Sequence, residues 1–320
     1  MLDGRLNITP AIRHDSFELE AEADAIFLAG NPGSPLPTGF DESKTSLKLG
    51  ATYDLTEHWT IVGQYAEGFR APPLDAINVG FTNLAGGYTT LPNPDLEPEE
   101  GEGVELGLRF KNEALSVSAV VYQNDYVNFI ESLSVLGFNP ITRLLEFQAR
   151  NLSAATIEGF ELKVLADLGA LSTSLDSFRF RAAFASADGE NLEDGAPLNS
   201  INPNELVMGL AYEPANQTWG LEGNLTLVER KDVSDIDASG LQSPGAPEVV
   251  AFEAPGYGVV DLLGFYDFSE SLRLNFAIFN ATDKEYFSWS EELVQNPAST
   301  NFDRLTQSGR NYSVSVRYQF

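Results

Sequence analysis

Asn311-Tyr312-Ser313-Val314-Ser315-Val316-Arg317-Tyr318-Gln319-Phe320, the last ten residues of the 320-residue chain, decide the fold class. Tyr312, Val314, Val316, Tyr318 and Phe320 alternate with Asn311, Ser313, Ser315, Arg317 and Gln319. A period of two sends one set of side chains to each face of an extended strand, so this is an amphipathic strand with one apolar and one wet face. Working back along the chain, Leu47, Leu49, Ala51, Tyr53 and Leu55 alternate with Ser46, Lys48, Thr52 and Asp54. Val104, Leu106, Leu108 and Phe110 do so with Glu105, Arg109 and Lys111, and Phe178, Phe180, Ala182 and Phe184 with Arg179 and Arg181. Leu272, Leu274, Phe276 and Ile278 repeat the pattern against Arg273 and Asn275.

Extended over the whole chain, this period predicts about twelve strands and no helix. They are placed at 4–20, 43–54, 57–69, 101–111, 114–130, 145–168, 175–187, 204–213, 217–231, 257–268, 271–281 and 309–320. Most are longer than the roughly five or six residues usual in soluble proteins and suit a tilted membrane strand of about 9 to 11. The connections alternate in length. Tight ones are expected near Thr56, Asn112, Ala170 to Ser174, Pro214 to Asn216 and Ser269, and long ones at 21–42, 70–100, 131–144, 188–203, 232–256 and 282–308. Short turns at one rim and long loops at the other are the pattern of an outer-membrane barrel, and a soluble sandwich has no reason to sort loops by parity. Tyr53, Trp59, Phe110, Tyr212, Trp219, Phe268, Tyr318 and Phe320 all fall beside the tight turns, as an interfacial aromatic girdle would.

Composition removes other classes. With 47 acidic and 19 basic residues the formal charge is −28, which argues against nucleic acid as a partner, because phosphate binding needs clustered Lys and Arg. Hydrophobic residues make up 43%, yet no run reaches the roughly 18 apolar residues of a membrane helix. Zero cysteines exclude disulfides, Cys-ligated metals and thiol nucleophiles within this chain. His14 and His58 stand far apart without the partner spacing of a catalytic triad, and His58 falls at a predicted periplasmic turn, so no catalytic residue is assigned. Met1 to Arg5 runs straight into an alternating segment with no signal peptide; the expectation is a cytoplasmic protein or the later portion of a longer one.

Five ordered motifs carry a resemblance. They are Gly68-Phe69-Arg70-Ala71-Pro72; Asn93-Pro94-Asp95-Leu96-Glu97-Pro98-Glu99 leading into Glu105-Leu106-Gly107; and Asn151 followed by Ile157-Glu158-Gly159-Phe160-Glu161-Leu162. Asn280-Ala281-Thr282-Asp283-Lys284-Glu285-Tyr286 and Gly309-Arg310-Asn311 complete the set. In this order and spacing the chain resembles the TonB-dependent outer-membrane receptors, particularly their haem, haemoglobin and transferrin branch. The resemblance implies an all-β, antiparallel transmembrane β-barrel. Residues 1–320 would form the C-terminal part of the barrel domain, about the last twelve strands of a plugged barrel of about 22. The signal peptide, TonB box, plug and early strands would be absent. It further implies a cell outer membrane location in a Gram-negative bacterium and active transport of a scarce nutrient, most readily a ferric siderophore or haem. The partners would be outer-membrane lipid, the TonB energy-transducing complex acting through the missing N-terminal part, and the barrel assembly machinery, which reads Tyr318 and Phe320. No enzyme activity and no cofactor are expected.

Physics independently favours a longer protein, since an open sheet in lipid leaves two edges of unpaired backbone groups, each costing several kcal/mol. Two alternatives are a small passive pore closed by pairing of the first and last strands, and a soluble β-sandwich binding module. Haem receptors of the resembled family present a histidine in the loop between the first two motifs. Here Pro73 to Pro92 has none, and Tyr88 is the one ionisable side chain there suited to haem iron. Tyr88 and Arg70 are therefore the candidate ligand-binding residues. Arg70, at the strand rim before Pro72-Pro73, is also expected to serve architecture by pairing with a carboxylate. Asp95, Glu97, Glu99, Glu100, Glu102 and Glu105 read as a solvated run without metal-ligand spacing, and Glu105 is expected to face Arg109 or another lumen base.

Overall fold

The computed structural model describes residues 4–30, 36–84, 86–237, 252–289 and 304–320; parts of the loops expected at 21–42, 232–256 and 282–308 lie outside these. Fourteen strands form one sheet. They are β1 (Leu6–Leu19), β2 (Phe40–Asp54), β3 (Trp59–Arg70), β4 (Phe81–Asn83), β5 (Tyr88–Leu91), β6 (Glu99–Lys111) and β7 (Leu115–Asn139). They continue as β8 (Leu144–Asp167), β9 (Phe178–Asn191), β10 (Glu205–Tyr212), β11 (Trp219–Val228), β12 (Tyr257–Ser269), β13 (Leu272–Phe279) and β14 (Asn311–Tyr318). Twelve of them make an antiparallel wall in the order β1-β2-β3-β6-β7-β8-β9-β10-β11-β12-β13-β14. The twelve strands read from period two are these twelve, and the tight connections fall where expected.

Three expectations need correction. The segment 131–144 is not a long loop, because β7 and β8 continue to Asn139 and Leu144 as a projecting hairpin. Register shifts between Glu131 and Ser134 and between Val135 and Gly137, the latter glycine at φ 118°, break the alternation that would have revealed it. Short helices do occur, α1 (Ala25–Gly30) and α2 (Leu74–Asn78), each too brief to show a helical period. The loop 70–100 also holds β4 and β5, and β5 runs parallel to the extension of β8. As for the alternatives, β1 and β14 lie at opposite ends of the strand order and do not pair, so the small closed pore loses its support. A sandwich needs a second sheet facing the first; all the described strands belong to one.

The sheet is inverted relative to a soluble protein. Ile12, Val104, Leu106, Val121, Leu221, Val314 and Val316 are exposed on one face, Ile12 at 72% and Val314 at 70%. At the tight-turn rim this face ends in aromatics. Trp59 meets Phe110 at 4.9 Å between ring centroids, Phe178 meets Tyr212 at 4.8 Å, Tyr212 meets Trp219 at 5.3 Å and Tyr318 meets Phe320 at 5.0 Å. Toward the other rim the ladders align Glu67, Glu102, Asp125, Thr156 and Glu190 in one cross-strand row. From Phe110 to Glu102 the strand climbs about 21 Å at a tilt of ~40°, close to the roughly 25 Å apolar band of outer-membrane barrels. The opposite face carries paired charges: Arg179 with Glu213 at 3.5 Å, Arg181 with Glu222, and Arg273 with Asp267 at 2.6 Å.

The buried apolar clusters lie beyond that band, among the loops. One joins Ile77, Leu96, Ile130 and Ala149, with Phe40 and Ala76 against it. A second joins Ile236, Ala254 and Trp289, with Phe252.

Candidate functional site

Arg70 ends β3, and the chain turns away through buried Pro72 into α2. Proline fixes the departure angle. The guanidinium of Arg70 donates to Glu99 Oε2 at 3.0 Å, and the same oxygen accepts the Ile130 N–H at 3.0 Å. Glu99 is 8% exposed, so a carboxylate bridges three strands at the point where the loop leaves and rejoins the wall.

From here a strap of side-chain to backbone bonds holds the loop 71–98 down. Asn93 takes the Ala76 carbonyl through its backbone N–H at 2.8 Å and the Ala149 carbonyl through Nδ2 at 2.9 Å. Its Oδ1 receives the Asp95 N–H at 3.1 Å. Leu96 is buried in the first cluster. Asn151 clamps Glu97 both ways, accepting from its N–H at 2.8 Å and donating to its carbonyl at 2.9 Å, and it also donates to the Asn128 carbonyl at 2.7 Å. Asn128, at φ 54°, adopts the left-handed backbone that asparagine tolerates and returns a bond to Glu97 Oε2 at 3.0 Å. Gln148 donates to the Pro92 carbonyl at 2.9 Å. Opposite, Asn78 and Thr38 exchange two bonds, of 2.7 and 3.1 Å, tying the loop to the segment ahead of β2.

The strapped loop adds two strands to the projecting hairpin, giving a four-stranded flap in the order β4-β5-β8-β7. Tyr88 lies at its centre, half-buried, its ring 6.2 Å from Phe81 and 6.0 Å edge-on from Phe147. Phe81 is 57% exposed, so the row presents aromatic surface outward.

The two candidate ligand residues are thus separated in role. Arg70 is engaged by Glu99, and Tyr88 sits on the flap. Phe69 packs on Phe17 at 5.8 Å, while Pro94 and Asp95 are exposed on the strap. Asp95 bonds through its backbone N–H alone, and each glutamate of the acidic run has its own neighbour. Glu97 takes Asn128, Glu100 takes Lys44 at 2.5 Å, and Glu102 accepts the Tyr65 hydroxyl at 3.0 Å. Glu105 accepts from Gln64 at 3.5 Å across the β3–β6 ladder instead of pairing with Arg109, which lies four residues further down the strand. His14 bonds Thr45 at 2.9 Å, and His58 sits at the tight-turn rim, its Nδ1 3.1 Å from the Lys111 carbonyl. Tyr318, 57% exposed, and the fully exposed Phe320 lie at the same rim. Sequence reasoning marked Asn151 as a motif residue without giving it a contact, and passed over Asn78 and Asn128. Amides that bond to distant backbone have no period, and the left-handed Asn128 is legible only in three dimensions.

A second interlock joins later loops. Lys231, 5% exposed, donates to the Ile201 carbonyl at 2.9 Å and lies 5.5 Å from the Trp289 ring centre. Trp289 donates to the Asn199 carbonyl at 2.9 Å. Burial holds the Lys231 ammonium below the ordinary lysine value, against the pull of Asp235 and Asp188.

Comparison with known proteins bears on the family and the fold. The chain is 28% identical over 298 residues to the probable hemoglobin and hemoglobin-haptoglobin-binding protein 4 of Haemophilus influenzae, covering 87% of this chain and 29% of that protein. It is 24% identical over 350 residues to the hemoglobin-haptoglobin utilization protein B of Neisseria meningitidis, covering 99% and 42%. Among solved structures, the copper transporter OprC superposes with a TM-score of 0.75 at 20% identity, covering 99% of this chain and 45% of that one. The ferric enterobactin receptor of Pseudomonas aeruginosa does so with a TM-score of 0.70 at 20% identity, covering 99% and 43%. At these identities the structures speak for the fold alone. The chain spans about three tenths of the first relative's length and less than half of each solved barrel. The family model described as TonB dependent receptor-like, beta-barrel matches residues 2–281, and the chain belongs to that family of Gram-negative outer-membrane barrels.

Proposed function

We propose that this chain is the later wall of an outer-membrane transport receptor whose extracellular flap captures an iron complex, a haem-bearing ligand or a ferric siderophore. The observation that carries this reading is the flap itself. A loop strapped at both ends holds the aromatic row of Phe81, Tyr88 and Phe147 on a rigid extracellular sheet above a wall with an apolar outer face and a charged inner face. Rigid aromatic area binds large planar ligands at small entropic cost. Relatives named for hemoglobin binding favour the haem-bearing class.

In this reading the residues act by binding and positioning, with no chemical step and no enzyme activity. Arg70 holds the strap through Glu99, and Tyr88 supplies contact surface. Residues 1–320 form the C-terminal part of the receptor barrel domain, with plug and earlier strands contributed by further chain. Energy comes from the TonB complex through that further chain, outer-membrane lipid covers the apolar face, and the assembly machinery recognises Tyr318 and Phe320. The test is growth of a strain lacking the complete gene, complemented with it, on hemoglobin or on ferric siderophores as sole iron source. Restored growth on hemoglobin, lost again with Tyr88→Ala, is the expected result. Equal growth with and without the gene on every iron source would overturn the proposal.

A further inference from the structure

Beside the strapped loop the wall contains a slit. β2 pairs with β3 from Asp54 and Thr60 up to Lys48 and Ala66 and no further, while on either side β1–β2 continues to Leu19 and Phe40 and β3–β6 to Arg70 and Glu99. Leu47 turns its N–H across the gap to Glu67 at 3.0 Å. Alternate residues of an antiparallel strand point their backbone groups the same way, so Asp41, Ser43 and Thr45 aim theirs into the slit as well, where they have no ladder partner. Unpaired backbone groups are excluded from an apolar band, and the slit begins at the row of Glu67 that forms the upper border of that band.

Two sets of contacts hold the slit closed, and they differ in burial. Those across it are open to water: the Leu47–Glu67 bond, the Lys44–Glu100 pair with side chains 35% and 42% exposed, and the contact of Phe69 with Phe17, itself 41% exposed. Exposed pairs of this kind contribute little. Those at the tip are buried. Phe40, the first residue of β2, packs against the cluster of Ile77, Leu96, Ile130 and Ala149, and Asn78, 9% exposed, exchanges its two bonds with the Thr38 backbone. Buried apolar area and a buried amide that would be left unsatisfied outweigh the exposed contacts, so the tip decides whether the hairpin stays in place. We infer that the β1–β2 hairpin above Lys48 is a gate in the wall, pivoting where its ladder to β3 ends and latched shut on the strapped loop by Phe40 and Asn78. Open, it joins the inner face of the wall to the surroundings at the upper border of the apolar band. The latch ties the gate to the loop that carries Tyr88, and the gate itself needs no particular cargo.

The experiment uses the complete receptor in lipid nanodiscs, freed of any cysteine outside this chain, with pairs of spin labels on introduced cysteines. Asp41 reports the gate, Val104 on β6 the wall and Asp95 the strapped loop, and all three are exposed. With the latch intact, Asp41–Val104 and Asp95–Val104 are each expected to give a single narrow distance. Phe40→Ala, and independently Asn78→Ala, add a longer Asp41–Val104 distance and leave Asp95–Val104 as it was. Phe40→Leu keeps the single distance, and Lys44→Ala leaves both pairs unchanged. A second Asp41–Val104 distance with the latch intact, or an unchanged one in both latch variants, would overturn the inference. So would equal broadening of Asp95–Val104, which makes Phe40 no more than part of the loop's core, or a Lys44→Ala effect as large as that of Phe40→Ala. If Phe40→Ala does not assemble, Asn78→Ala decides. Label distances in the resting receptor and iron uptake are separate readouts, so failure here leaves the capture proposal standing and the reverse also holds.

Discussion

The membrane-crossing half and the extracellular half of this wall are held by different means. Below the row of Glu67, Glu102 and Asp125 neighbouring strands are joined by backbone ladders, with a register shift at Asp267 to Ser269 between β12 and β13, and side chains merely sort to two faces. Above it the ladders part. β2 stops pairing with β3 at Lys48 and Ala66, although β1–β2 continues to Leu19 and Phe40 and β3–β6 to Arg70 and Glu99. The parted edges are joined by side chains. Glu67 accepts the Leu47 N–H at 3.0 Å, Lys44 pairs with Glu100, and Phe17 meets Phe69. One half is fixed by a pattern, the other by particular residues.

The largest break in this contrast comes from charging the apolar face. Leu106→Arg, mid-band on β6, is expected to cost about 2 to 4 kcal/mol and to reduce the heat-modifiable folded receptor sharply. Gln64→Arg, on the opposite face beside Glu105, is expected to change it by less than about 1 kcal/mol. Equal losses would mean that the faces are misassigned. In the upper half, Asn151→Ala removes three bonds from the strap and is expected to loosen residues 71–98 by about 2 kcal/mol. Limited proteolysis should then cut that loop first while the heat-modifiable barrel persists.

This division also accounts for what could be read in advance. The twelve wall strands and their tight turns follow from period two because backbone pairing cares only about alternation and turn length. The flap does not follow. Bulges at Glu131 to Gly137 erase the period, β4 and β5 are too short to display one, and the parallel pairing of β5 with β8 joins residues far apart in the chain. Arg70 was legible as a strand-rim cation in need of an acid. The bond from Asn128 to Glu97 was not, nor was the clamp that Asn151, marked only as a motif residue, places on distant backbone, because folding alone brings these partners near.

Smaller effects sharpen the comparison. Lys44→Ala removes an ion pair between half-exposed side chains, and the expected loss is no more than about 1 kcal/mol, read as a slight rise in labelling of a Ser46→Cys reporter. A pH effect is smaller still. Because burial lowers the folded Lys231 value, the unfolded loops bind the proton more tightly, so the loop cluster gains stability as pH climbs toward the ordinary 10.5. Below the folded value the full penalty persists. Hydrogen exchange of residues 229–237 should slow, relative to the intrinsic rate, across the alkaline range and lose that dependence in Lys231→Met.

The central claim, that one face of this wall meets lipid and the other the lumen, is tested most directly by single reporters at 104 to 109 of β6 in the complete receptor. This chain contains no cysteine, so each introduced Cys labels cleanly within it. Environment-sensitive labels at Val104, Leu106 and Leu108 should be quenched by lipid-borne quenchers, and those at Glu105, Gly107 and Arg109 by aqueous ones. Uniform aqueous quenching at all six positions, or the reverse alternation, would contradict the account.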